Sequence, residues 1–154
     1  MIHIPLQSDD LIEEGMCMEI EIMPAFEYLK EKGIKKQQIP VFKTTALFDT
    51  GAKTCAVDKS IIEALGMPAY QSCSVKTPFH TVEREVYQLV FKIPGKNEFF
   101  PVVAVIADFS ADRCKAIIGR NFLQYGLLVY DGANQTGFLN AVSYTHLTLP
   151  TIRL

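Results

Sequence analysis

Residues 46–58 read ALFDTGAKTCAVD. The stretch sets one acidic residue, Asp49, between an apolar run and a glycine, then returns to small and apolar residues. The run before it, VFKTTALF (41–48), is β-branched and aromatic, which predicts a strand leading into Asp49. A carboxylate at the end of a buried strand needs hydrogen bonds or a charge partner to stay ionised. An Asp followed two positions later by Gly also fits a plain Asx-turn. The choice between a turn residue and a chemical group depends on what the rest of the chain supplies.

Working outward, the chain breaks into short, mostly strand-like pieces. MCMEIEIM (16–23) alternates apolar and acidic residues with the period of two of a half-exposed strand. PAFEYLKEKG (24–33) is framed as a short helix by Pro24 at its start and Gly33 at its end. VDKSIIEALGM (57–67) predicts a second helix, with Asp58 as N-cap, Ile61, Ile62 and Leu65 on one face, and Gly66 at the C-terminal end.

Residues 72–106 are β again, beginning with two strands joined near TPFHT (77–81), where Pro78 marks the tip. An apolar strand through FFPVVAVIA, a polar loop, a buried strand through KAIIG and a turn of helix at RNFLQYG follow. LLVYDGANQTGFLN (127–140) reads as a hairpin turning near Asp131-Gly132. The expected class is all-β with one or two short helices.

With 154 residues, 49% hydrophobic and 21% charged, one globular domain with a real core is expected. A net charge of -2 and no basic run longer than Lys35-Lys36 argue against nucleic acid or an anionic membrane surface as partner. No apolar run approaches bilayer length, and the N-terminus lacks the pattern of a secretory signal. Cys17, Cys55, Cys73 and Cys114 are scattered without a CxxC pair, so free, mostly buried thiols in the reducing cytoplasm are expected. With His only at 3, 80 and 146, neither a metal site nor another cofactor is implied. The closing VSYTHL (142–147) resembles a translated sequencing-library adaptor, so residues 141–154 are set apart as adaptor-derived or as a disordered tail, and His146 receives no role.

Downstream of Asp49-Thr50-Gly51-Ala52 stands AIIGRNFLQYG (116–126). A D-T-G tripeptide alone is a weak signal, but the order strand, D-T-G-A, hairpin, I-I-G-R-N resembles the retropepsin-like, single-domain aspartic proteases, nearest to their bacterial or phage branch. The resemblance spans residues 16–140, leaving 1–15 as an N-terminal extension. It implies a half-barrel with a flap hairpin, active as a symmetric homodimer. The activity it implies is an aspartic endopeptidase on extended peptides, in which water is activated between two Asp49 carboxylates. A single D-T-G can supply that pair only from a second copy of the chain.

The resemblance also implies roles for the neighbours. Thr50 would interlock with the opposite loop, and Gly51 would let the backbone approach the carboxylates. The carbonyls of Gly51, Ala52 and Lys53 would bind the substrate main chain, and the flap at Thr77, Pro78, Phe79 and His80 would close over it. Ala56, Phe79 and Val82 would line side-chain pockets. Arg120 and Asn121 would serve structure at the dimer interface. Retroviral members carry an acidic residue where this chain has Lys53, so Arg120 is expected to find another anion, with Asp58 the candidate. Lys53 and a flap tip without glycine leave a second reading: a dimerisation or peptide-binding module with weak or no hydrolysis. Cys55 has no His to activate it and reads as a small packing residue, and Asp108 and Asp112 read as solvated loop acids.

Overall fold

A computed structural model describes residues 1–109 and 112–142. In chain order the elements are β1 (Ile2–Gln7), α1 (Leu11–Glu14), β2 (Cys17–Pro24), α2 (Phe26–Glu31), β3 (Phe42–Phe48), β4 (Cys55–Asp58) and α3 (Lys59–Leu65). They continue as β5 (Gln71–Lys76), β6 (Thr81–Lys92), β7 (Phe99–Ala107), β8 (Cys114–Ile118), α4 (Arg120–Leu123), β9 (Gly126–Asp131) and β10 (Thr136–Ala141). The all-β expectation is borne out; α3 stands where its capping residues place it, whereas Pro24, expected to open α2, is the last residue of β2, and α2 starts at Phe26 without a side-chain cap. Asp58 caps α3 by accepting from the Ser60 N–H, and Gly66 ends it at φ 65°, a left-handed conformation that favours glycine.

Seven strands form one sheet in the order β2-β3-β8-β4-β7-β6-β5. That sheet curls until β2 also pairs with β6, so its strands run around a closed ring with β5 outside on β6. Inside the ring lie Ile20, Ile22, Leu89, Phe91, Phe100 and Ile118 with their neighbours. Phe122 of α4 reaches into this core, its ring 5.0 Å from Phe100 and 6.5 Å from Phe91. Burying one such ring contributes about 2 kcal/mol and fixes where α4 begins.

Two details concern proline. Pro101 lies within β7, at a position paired with β6 alone, because pairing of β7 with β4 starts only at Ala104. Pro5 lies in β1, at the edge of a separate three-stranded sheet ordered β1-β10-β9. That sheet pairs Ile2 with Ala141 and Gln7 with Thr136. Residues 2–7, set apart above as part of an extension, are thus built into the fold. Ala141, set apart with the tail, is the last residue of β10 and 3% exposed. The remainder of the tail, 143–154, lies outside the described residues.

Candidate active site

The site follows from one feature of the topology. β8 is inserted between β3 and β4, parallel to β3 and antiparallel to β4. The chain leaving β3 at Phe48 must therefore cross the end of β8 before it can enter β4 at Cys55. The crossing segment is 49–54, the D-T-G-A loop, and it passes directly over Gly119. A Cβ at 119 would lie 2.6 Å from the Thr54 carbonyl carbon, 2.7 Å from its oxygen and 2.9 Å from the Cys55 nitrogen. Glycine at 119 is thus what lets the loop cross.

Hydrogen bonds lock the crossing from several directions. The Asp49 N–H donates to the Ile118 carbonyl at 3.0 Å, extending the β3–β8 ladder by one residue. The N–H groups of Arg120 and Asn121 donate to the carbonyls of Ala52 (2.8 Å) and Lys53 (3.1 Å). Arg120 Nη1 donates to the Thr50 carbonyl at 2.8 Å. Asn121 bridges outward: its Oδ1 accepts from the Cys55 N–H at 2.8 Å, and its Nδ2 donates to the Val103 carbonyl at 2.7 Å. A neutral amide is suited to this place because it satisfies one buried donor and one acceptor together.

Within the loop, Asp49 Oδ1 accepts from the Gly51 N–H at 2.9 Å, so the Asx-turn is formed. That bond uses one carboxylate oxygen. Asp49 is half-buried and makes no ion pair among the described residues. Cys55 is fully buried, and burial pushes its thiol up to about 11. It therefore carries no thiolate at neutral pH, in keeping with its reading as a packing residue.

One expectation about neighbours needs correction. Arg120 does not pair with Asp58; its guanidinium is satisfied by a backbone carbonyl. Asp58 is 1% exposed and partnered elsewhere, accepting from the Phe109 N–H at 2.6 Å, the Ser60 N–H at 3.0 Å and the Ser60 hydroxyl. Burial works against its charge, yet these bonds and the Lys115 ammonium hold its carboxyl below the usual range. Lys115 Nζ also donates to the Phe109 carbonyl at 2.7 Å, so Phe109 is gripped at both backbone groups. The Ala52 and Lys53 carbonyls each accept one hydrogen bond from the start of α4, which leaves each a second lone pair, while the Gly51 carbonyl accepts no hydrogen bond among the described residues.

The hairpin of β5 and β6 turns at Thr77, Pro78, Phe79 and His80, all exposed. Among the described residues its tip bonds only to itself, Thr77 N–H to the His80 carbonyl at 2.8 Å and His80 N–H to Thr77 Oγ1 at 3.1 Å. Phe79 is 92% exposed. Ala56, by contrast, joins Val86 and Val105 in an apolar cluster edged by Val75, Phe109 and Ile117. Val82 is partly buried on β6. Asp108 forms an exposed ion pair with Lys59 at 3.4 Å.

Among the described residues no three His, Cys, Asp or Glu side chains are grouped to hold a metal ion, and no helix is long and apolar enough to cross a membrane.

An all-β ring with a D-T-G-A crossing loop, a locking G-R-N turn and a hairpin between them defines the retropepsin-like aspartic-protease fold. Comparison with solved structures agrees. A retropepsin-like aspartic protease from Rickettsia conorii superposes with a TM-score of 0.57 at 15% identity, over 92% of this chain and 93% of that one. The aspartic proteinase of Irpex lacteus gives 0.51 at 15% identity over 94% of this chain, which spans about half (48%) of that longer enzyme. The simian foamy virus protease is matched at 18% identity and a TM-score of 0.46, over 71% of this chain and 92% of that one. No protein-family model and no curated protein matches the sequence.

Proposed function

We propose that the chain is an aspartic endopeptidase that works as a symmetric homodimer on extended peptide segments. The observation that supports this best is the Asp49 loop: a carboxylate with no charged partner among the described residues, presented on backbone fixed by Gly119, Arg120 and Asn121. A lone carboxylate is a poor peptidase, because the reaction needs both a base for water and an acid for the departing amine. Two carboxylates about 3 Å apart cannot both ionise, as is established for aspartic-protease pairs, so one keeps a proton and each task has its group.

In this reading the ionised Asp49 takes a proton from water as the water oxygen attacks the scissile carbonyl carbon. The protonated Asp49 of the second copy gives its proton to the carbonyl oxygen. Collapse of the resulting diol returns a proton to the leaving nitrogen. The Gly51 carbonyl, with no hydrogen bond among the described residues, and the Ala52 and Lys53 carbonyls, each with a lone pair left beside its bond to α4, receive the substrate main chain. Thr50 is exposed and makes no side-chain hydrogen bond among the described residues, and in this reading it bonds to the opposite loop. Thr77 to His80 act as the flap, and Arg120, Asn121 and Asp58 hold structure. The edge of β9, unpaired among the described residues and with Leu127 and Tyr130 56% and 55% exposed, supports a second copy as the partner.

The test is peptidase activity across pH ~3 to 7 for the wild type and Asp49→Asn, with and without pepstatin, together with the mass in solution. The expected outcome is a dimer whose activity falls at least about a hundredfold in Asp49→Asn. A stable monomer, or activity indifferent to the substitution, would exclude the proposal. An inactive dimer that still binds peptide would establish the binding-module reading instead.

A further inference from the structure

Cys17 and Cys114 are 97 positions apart, on strands that flank β3, and their sulfurs stand 3.7 Å from each other. Both are half-buried, so a small reagent can reach them, unlike the fully buried Cys55. Cys17 Sγ also meets the Glu14 carbonyl at 3.4 Å and the Arg113 guanidinium at 3.6 Å, a cation placed where a thiolate would carry its charge. A disulfide requires the sulfurs, now 3.7 Å apart, to close to ~2.05 Å. Each cysteine is the first residue of its strand, and the β3–β8 register shifts between Thr45 and Ala46. Strand ends beside an irregular ladder yield to such a movement more readily than the middle of a regular one.

We propose that Cys17 and Cys114 form a modification site: a reversible intramolecular disulfide made by exchange with a low-molecular-weight disulfide, RSSR. One cysteine thiolate attacks RSSR, whose S–S bond breaks to leave a mixed disulfide on the protein and RS⁻. The other cysteine attacks the protein sulfur of that mixed disulfide, the Cys17–Cys114 bond forms, and a second RS⁻ leaves. The two cysteine protons end on the two released thiolates, so two protein thiols are oxidised as one RSSR becomes two RSH. Burial and the neighbouring Cys114 push the Cys17 thiol up to about 11, so closure is slow at neutral pH and quickens toward that value. The bond would enclose Asp49 and the β5–β6 hairpin in one covalent loop, and it is independent of whether the chain is a peptidase.

The experiment uses the full wild-type chain, incubated with oxidised glutathione at pH 7 and pH 8.5, quenched in acid, alkylated without reduction, digested and read by mass spectrometry. A peptide pair joining residues 17 and 114 is expected, with two alkylation sites lost, faster closure at the higher pH, and full reversal by dithiothreitol. Cys17→Ser and Cys114→Ser should each abolish it. Retention of both thiols, a persistent glutathione adduct without the cross-link, or a bond to Cys55 or Cys73 in its place would overturn the proposal. Because the decisive reading is made on the wild type, poor folding of a variant does not affect it.

Discussion

The two loops that matter most in this molecule are held in opposite ways. The Asp49 loop is fixed from outside itself: by the Ile118 carbonyl, by the first residues of α4, by the Arg120 guanidinium and by a glycine that leaves it just enough room. Among the described residues the tip at 77–80 is held only by its own Thr77 and His80, and every residue of it is exposed. One loop is therefore fixed to the core through Phe122, while the other can open without disturbing anything beyond its hairpin. A site that must hold a carboxylate still and yet admit a long substrate needs one of each.

The sharpest way to break this contrast is to remove the room at Gly119. Gly119→Ala places a methyl group 2.6 to 2.9 Å from the backbone of Thr54 and Cys55, where no flexible side chain can give way. We expect a loss of ~3 kcal/mol or more, read as a collapse of the melting temperature by circular dichroism. A loss below about 1 kcal/mol would mean that the loop slides aside freely and is not locked.

The same contrast explains what the sequence could and could not reveal. Strands β2 and β3 and the hairpins carry local signals, alternation and turn residues, and α3 carries both of its caps, so they are legible from a few neighbouring letters. β1 is not, because what makes IHIPLQ a strand is pairing with residues 136–141 at the far end of the chain. β4 has four residues, all buried, and so offers no alternation before it runs into α3. At the site, Asp49, Gly119 and Arg120 were legible as types. The partner of Arg120 was not, because it is a backbone carbonyl, which every residue possesses. The same blindness hid the engagement of the Ala52 and Lys53 carbonyls. The Cys17–Cys114 pair gives no spacing signal either, since it arises only when β3 is sandwiched between β2 and β8.

The held side extends past the loop to Asp58, and its reach can be sharpened with pH. The folded carboxyl titrates below its unfolded value, so its contribution is fully present above about pH 4 and is lost as pH falls through the folded value. Asp58→Asn keeps an acceptor for one donor but removes the charge that Lys115 and the Phe109 N–H favour. It should cost about 1–2 kcal/mol near pH 6 to 7, and the gap to the wild type should narrow as pH falls through the lowered folded value. Melting curves measured across that range check it. A gap that is independent of pH would show that Asp58 acts by shape alone.

The smallest effect on stability belongs to the tip. Phe79 is 92% exposed, so Phe79→Ser removes almost no buried apolar area and should change stability by no more than about 0.5 kcal/mol. If the tip closes over peptide as proposed, the same change should raise KM severalfold while leaving kcat within about twofold, because the ring would contact bound substrate and not the reacting atoms. Hydrogen exchange supplies a reading that needs no substrate. The Thr77 and His80 amides should exchange far faster than those of Asp49, Arg120 and Asn121, although both sets are hydrogen-bonded. Equal protection of the two sets would erase the contrast, and with it the reason for treating the hairpin as the moving part.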